Sequence, residues 1–405
     1  METIHSKIFK AGLALASLAL TGCQGLTSSA AKPEVETVHE ARIMAHGDLL
    51  YHDPIFASAA QADGSFDFHP NFSYVKPWIQ QADLSLADFE GTIDPTKPLV
   101  GYPRFNAPEE VADAMADTGY DVVDLAHNHI LDSGLEGLQS TAASFSQRGM
   151  APLGVYPDKS RQDADLLIKE VNGIKIALLA YAYGFNGLEA ELTPDDYAAH
   201  LSDLDPDQMR REIERAEEEA DLTIVMPQMG VEYALEPTQE QIDCYHQMVA
   251  WGADVVLGGH PHVIEPAEVI DHEGDKKLII YSMGNFLSNQ RAETMEGNTW
   301  TERGLLVDLT VEKKGDRTRI KAAQARPTWV AREDRGTYSQ AFNCKQYLYQ
   351  TYVLDDFIEG GAYRDRLDPA YRDRIDQAYT AVNQHVGLDW PRAKRTYQAS
   401  PGIDD

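Results

Sequence analysis

The stretch Asp254-Val255-Val256-Leu257-Gly258-Gly259-His260-Pro261-His262-Val263-Ile264 sets the reading of the whole chain. Three apolar residues suit a short buried strand, two glycines end it, and two imidazoles follow at once. The same grammar recurs elsewhere. Ile43-Met44-Ala45 leads into His46-Gly47-Asp48, Ala87-Asp88-Phe89 into Glu90-Gly91, Val122 to Ala126 into His127-Asn128-His129, and Ile280 to Gly284 into Asn285. In open α/β sheets, ligands bind beyond the carboxyl ends of the strands. Five strand ends that deliver Asp, Glu, Asn and His to one rim can build a site from residues far apart in the chain.

Working outward, apolar runs predict strands at 42–46, 84–89, 122–126, 174–181, 222–226, 255–257, 278–282, 305–311 and 320–325. Amphipathic stretches predict helices at 108–118, 135–147, 206–220 and 238–251. Pro206 stands where a first-turn proline belongs, and Gly119 and Gly252 fall just past helix ends. Strand–helix alternation implies a layered α/β fold. The later strands lack helices between them, which predicts a second, partly antiparallel sheet joining the first. Beyond about residue 332 the chain is rich in Tyr, Asp and Arg, with helical apolar spacing over 345–380. The resulting division is a leader at 1–22, a flexible tether at 23–40, one main domain at 41–330 and a C-terminal helical extension at 331–405.

The 405 residues are 43% hydrophobic and 25% charged, a globular composition rather than a disordered or multi-span one. Sixty-five acidic against 35 basic residues give a net charge of -30. That excess excludes nucleic acid as a partner, because phosphate contacts need clustered Lys and Arg. An anionic substrate would need a local positive centre such as a bound cation.

At the N-terminus, Lys7 and Lys10 precede the apolar run Ala11 to Leu20, which is too short for a spanning helix. Leu20-Thr21-Gly22-Cys23 then looks like a bacterial lipobox, with Cys23 as the lipidated residue; an ordinary signal peptide that contains a cysteine is the alternative. Acylated Cys23 would hold the protein on the extracytoplasmic face of the cell membrane. Loss of the leader would leave 33 basic and 64 acidic residues, so the acidity belongs to the mature part. Cys244 and Cys344 lack C-x-x-C spacing, and either a disulfide or two separate thiols is compatible with the sequence.

Carboxylates and imidazoles suit divalent Mn, Fe or Zn, and a carboxylate can bridge two ions. If His260 and His262 are extended, as Pro261 favours for the residue before it, both rings face the same way. Each residue also has a structural reading. Asp48 after Gly47 suits a turn, Asn128 a tight turn, Asp132 a helix cap near Gly134, and Glu90 a solvated strand end.

Taken together, these residues resemble the CapA, or poly-γ-glutamate capsule-synthesis, family of the calcineurin-like metallophosphoesterase superfamily. The resemblance rests on Gly47-Asp48, Asp88-Phe89-Glu90, His127 to Gly134, Met229 to Tyr233, Gly258 to Ile264 and Tyr281 to Phe286. Tyr102 to Asn106 and Phe286 to Arg291 look like the Gram-positive lipoprotein branch. The resemblance implies a four-layer αββα sandwich of metallophosphoesterase type with two divalent ions. By position it assigns Asp48, Glu90, Asn128, Gln228, His260 and His262 to metal binding, with Glu90 as the bridge. His129 matches the catalytic histidine that stabilises the transition state or protonates the leaving group. His52, Arg104, Asp132, Asn285 and Arg291 would contact substrate or support the ligands, with surface salt bridges as the alternative for the two arginines. Two positions depart from the family pattern: Gln228 stands where a histidine is usual, and His127 replaces the first Asn of an Asn-Asn-His run.

Two functions follow from the resemblance: a metal-dependent phosphoesterase of capsule biosynthesis, and an accessory scaffold or export component that binds metal and polymer without hydrolysis. A binding lipoprotein that has lost catalysis is a third. The implied partners are the cell membrane, an anionic envelope polymer or phosphoester, and capsule-synthase membrane proteins.

Overall fold

The computed structural model describes residues 37–392, except 159 and 273. The leader, Cys23, most of the tether and the last 13 residues lie outside the described residues.

Among the described residues, fourteen strands form two sheets. In the first are β1 (Val38–Leu50), β2 (Leu84–Glu90), β3 (Val122–Asp124) and β4 (Ala151–Leu153). The second holds β5 (Leu167–Val171), β6 (Ile174–Ala182), β7 (Leu222–Gln228), β8 (Val255–Leu257), β9 (Ala267–His272) and β10 (Asp275–Ile280). The chain then returns to the first sheet with β11 (Asn285–Leu287), β12 (Arg303–Lys314), β13 (Arg317–Ser339) and β14 (Cys344–Val353). The first sheet runs β14-β13-β12-β1-β2-β3-β4, with β11 also on β1; the second runs β5-β6-β7-β8-β10-β9. β1 to β4 are parallel, as are β6, β7, β8 and β10, so their carboxyl ends share a rim.

Strand alternation builds the layers. Ile43, Leu86 and Val122 of the first sheet meet Leu178, Met226 and Leu257 of the second in one buried interlayer. On the opposite face of the first sheet, Met44, Phe89 and Val123 pack beneath Ile55, Val111, Met115 and Phe145. These come from helices Asp53–Ala59, Glu110–Thr118 and Gly134–Gln147. The outer face of the second sheet, with Leu179, Val225 and Val256, packs beneath helices Pro206–Glu219 and Gln239–Ala250 through Met209, Ile213, Ile242 and Met248. The expected αββα order is therefore present. Helix starts follow local chemistry: the side chains of Asp205 and Thr238 accept from the backbone N–H of Gln208 and Gln241.

The second sheet is partly antiparallel, through the β5–β6 and β9–β10 pairs, whereas the late strands β12 to β14 extend the first sheet. The C-terminal expectation changes. The boundary at 330/331 falls inside β13, and 344–353 is a strand rather than a helix. Tyr349, Thr351 and Val353 are buried at a spacing of two, and these aromatic and β-branched residues suit a pleated surface. The helical expectation holds for Pro369–Val386, which packs Ile375 and Ala378 against Trp329, Leu354 and Phe357. Cys244 and Cys344 are both free thiols. Among the described residues, no helix is long and apolar enough to cross a membrane.

Candidate metal centre

Three aspartates stand side by side on the first sheet, because Asp48 of β1 registers with Asp88 of β2, and Asp88 with Asp124 of β3. Asp48 is a strand residue, fully buried, and not the turn residue that Gly47 suggested. Its N–H donates to the Gly284 carbonyl at 3.1 Å, and a Cβ on Gly47 would lie 2.0 Å from that oxygen. Glycine is thus required for the close approach of β1 to the loop after β10. Glu90, two residues beyond Asp88, is fully buried too and is no solvated strand end.

Asp48, Glu90 and His262 each offer one donor atom, all within 4.8 Å of one another. His262 Nδ1 lies 2.9 Å from Asp48 Oδ2 and 3.8 Å from Glu90 Oε2. Asn285, facing Asp48 from β11, brings Oδ1 to 3.2 Å from His262 Nδ1 and donates from Nδ2 to the His262 carbonyl at 3.2 Å. It therefore orients the ring. The histidines are not extended: φ is +94° at His260 and +57° at His262. Such angles are unfavourable for residues with a Cβ and persist only where the surroundings impose them. Here Tyr233 N–H donates to Pro261 O and Glu265 N–H to Ser282 O, tying both flanks of the turn. The rings end 6.1 Å apart by centroid, with His260 against Tyr183 at 4.5 Å.

Electrostatics follow from burial. Desolvation, reinforced by Asp48, pushes Glu90 up to about 7, against the pull of His262 and His129. For His262, Glu90 and Asp48 outweigh burial and raise it to about 10. Burial, with His262 nearby, drops His260 to about 3. Asp88 is raised by burial and by Asp48, Asp124 and Glu90.

The residues fit divalent cations. Asp48 Oδ1, both Glu90 oxygens, Asn128 Oδ1, Gln228 Oε1 and His260 Nδ1 are buried and have no hydrogen-bond partner. Buried acceptors left in that state cost free energy, and bound cations would satisfy them. Asn128 and Gln228 come from the loop after β3 and the end of β7, so both sheets contribute donors.

His129 faces this cluster with Nε2 4.0 Å from Glu90 Oε1, while Nδ1 meets Asp132 Oδ2 at 2.7 Å. Asp132 also accepts from Phe105 N–H at 2.6 Å, and the Phe105 ring stands edge-on to His129 at 4.8 Å. Although burial opposes it, the bond to Asp132 and the charge of Glu90 raise the His129 pKa. Arg104 is exposed and lines a cleft of about 310 Å³ with Tyr102, Asn128, His129, Asn186 and Glu232. His52 stands behind Phe105, rings 5.2 Å apart; burial drops it to about 4. Arg291 is not brought to the cleft. It is 1% exposed, its guanidinium stacked on Trp329 and directed at Glu302 and the Val330 carbonyl. It is neither a substrate contact nor a surface salt bridge, but a buried support of the β13 region. Sequence reasoning missed Asp88, Asn186 and Glu232 as site residues; Asp88 left a signal in its spacing of two from Glu90 along one strand face, and Glu232 in its place within the Met229 to Tyr233 motif.

Two face-to-face sheets thus lie between helical layers, with carboxylates and imidazoles converging at strand ends. Similar solved structures include a novel phosphatase from Mycoplasma pneumoniae, at 12% identity and TM-score 0.43, covering 72% of this chain and 94% of that one. Another is the calcineurin-like phosphoesterase YfkN from Bacillus subtilis, at 17% identity and TM-score 0.42, covering 72% and 91%. Residues 42–290 match the family described as bacterial capsule synthesis protein PGA_cap, and the chain belongs to that family. It is 28% identical to the PGA biosynthesis protein CapA of Bacillus subtilis over 60% of this chain and 62% of that protein. Identity to the capsule biosynthesis protein CapA of Bacillus anthracis is 27%, over 60% and 58%. The match thus spans about three fifths of the length of each relative.

Proposed function

We propose that this protein is a divalent-metal-dependent phosphoesterase of capsule biosynthesis, anchored through lipidated Cys23 to the extracytoplasmic face of the cell membrane. The convergence of buried, unpartnered oxygen and nitrogen donors from both sheets carries this reading. Asp48, Glu90 and His262 would hold one cation, and Glu90, Asn128, Gln228 and His260 a second, with Mn, Fe or Zn as the candidates. Cations there supply charge stabilisation to a phosphoryl group and lower the pKa of an attacking water. The chain's own groups do the rest. Asp132 fixes His129 so that Nε2 faces the cluster, placing a proton where a leaving alkoxide would develop. Arg104, at the cleft wall, offers a bidentate partner to a phosphate or carboxylate. The substrate would be a phosphoester of the envelope, in partnership with capsule-synthase membrane proteins. Polymer contact is confined to the cation-bearing cleft, since a chain of net charge -30 repels a polyanion elsewhere.

One observation favours a second reading, a scaffold that binds metal and polymer without hydrolysis: Gln228 supplies a neutral amide where the family pattern has an imidazole. Elemental analysis, with p-nitrophenyl phosphate mono- and diester assays in added Mn2+, separates the two. The enzyme reading expects metal and turnover in the parent and loss of both in a folded His260→Ala variant. A metal-loaded parent inert toward every ester establishes the scaffold instead.

A further inference from the structure

Two side-chain amides at the rim share one arrangement. Gln228, 1% exposed at the end of β7, donates from Nε2 to Asp88 Oδ2 across the gap between the sheets. Its Oε1 is buried without a partner. Asn128 donates from Nδ2 to Asn186 Oδ1 at 3.2 Å, and its Oδ1 is also buried without a partner. In each, the nitrogen prong is tied to the protein and the carbonyl prong is left over. A planar amide with one prong fixed has no freedom to exchange the other. Gly259 reinforces this at Gln228, since a Cβ there would lie 2.6 Å from Nε2 and 3.0 Å from Asp88 Oδ2. Only glycine lets the backbone close over that bond.

We infer that Asp88 is a positioning residue that presents the Gln228 carbonyl oxygen to a cation, making the second site oxygen-rich and selective for a hard cation such as Mn2+ over Zn2+. The inference rests on the two-cation reading above and adds that the sites are unlike. Asp48, Glu90 and His262 combine carboxylates with an imidazole. The other set has one imidazole, His260, against carbonyl oxygens from Asn128 and Gln228 and the Glu90 carboxylate. Carbonyl and carboxylate oxygens suit Mg2+, Mn2+ and Ca2+, whereas imidazole suits Zn2+. Asp88 touches no substrate; it acts through Gln228.

The test is calorimetric titration of the metal-stripped full-length protein with Mn2+ and with Zn2+ separately, with Mn2+ binding also followed by electron paramagnetic resonance. The expected parent result is two sites that differ in their Mn2+-to-Zn2+ ratio, the Gln228 site favouring Mn2+ the more. Asp88→Ala should weaken Mn2+ at one site by about 10- to 100-fold and spare the other, the usual scale for removing a ligand's support. Asp88→Asn, which still accepts through its own carbonyl, should recover much of that loss. Gln228→His should raise Zn2+ affinity at the same site by at least about tenfold, through the added imidazole. Unchanged Mn2+ affinities in Asp88→Ala, or an unchanged Mn2+-to-Zn2+ ratio in Gln228→His, overturn the inference. Should Asp88→Ala fail to fold, Gln228→His decides alone. Absence of turnover in a protein with both cations bound would count against the phosphoesterase and leave this assignment standing.

Discussion

His129 is held on one nitrogen and free on the other, which is what a proton donor requires. Its Nδ1 is bonded to Asp132, and Nε2 points toward Glu90. His129→Ala is expected to lower kcat by about 10²- to 10⁴-fold, the usual span for general acid–base groups, with cation content unchanged by elemental analysis. Asp132 helps raise the His129 pKa, so the imidazolium survives to higher pH than burial alone allows. Asp132→Asn should therefore shift the alkaline limb of the kcat/KM profile to lower pH. A limb that stays in place would show that Asp132 only packs. At this scale the candidate donors were legible by their place near the ends of apolar runs, Asp48 and His260 directly after a glycine. It could not show that Arg291 is buried on Trp329, since that depends on how β13 crosses the loop after β11. The left-handed turn at His260 and His262 was equally hidden, because Pro261 alone favours the opposite form.

The helix Gln239–Ala250 is seated on the loop after β8 by Gln241, whose Nε2 donates to Glu265 Oε2 at 2.6 Å and to Tyr281 O at 3.0 Å. Burial pushes the Glu265 carboxyl up to about 8, although the bond from Gln241 opposes the shift. The folded state thus keeps a proton that the unfolded chain releases near its ordinary value of 4.5. The stability this contributes is complete below that value and is lost as pH rises toward about 8. Urea midpoints should fall across that window in the parent and fall less in Glu265→Gln; parallel profiles would refute the assignment. Gly258 poses a steric question instead. A Cβ there would lie 2.0 Å from Tyr281 O and 2.6 Å from the Tyr245 hydroxyl. Gly258→Ala should cost about 1–3 kcal/mol in urea unfolding, as overpacking in a close-packed interior does. Element types were legible from periodicity, as with 206–220 and 255–257, while β14 was misread because its tyrosines also fit a helical spacing.

At the scale of the whole molecule, the C-terminal third completes the first sheet rather than appending to it. β14 pairs along its length with β13 from Thr328 to Ser339, and helix Pro369–Val386 covers Trp329. A chain truncated after Asn343 is expected to aggregate, because it exposes the β13 edge and the apolar face beneath the helix. A soluble, cooperatively folding product would restore the picture of a separable extension. Layer order could be read from the alternation of strands and helices; which sheet each late antiparallel strand joins could not, since pairing partners leave no local mark. The donor atoms are divided between the layers: Asp48 and Glu90 ride on one sheet, Gln228 and the histidine turn on the other. The thickness of the hydrocarbon between Leu86 and Met226 therefore works as a gauge block for ionic chemistry at the rim. Thinning it, as Met226→Ala would, should shift the two halves of the donor set against each other without touching any donor atom, so the apolar interior sets the spacing at the rim.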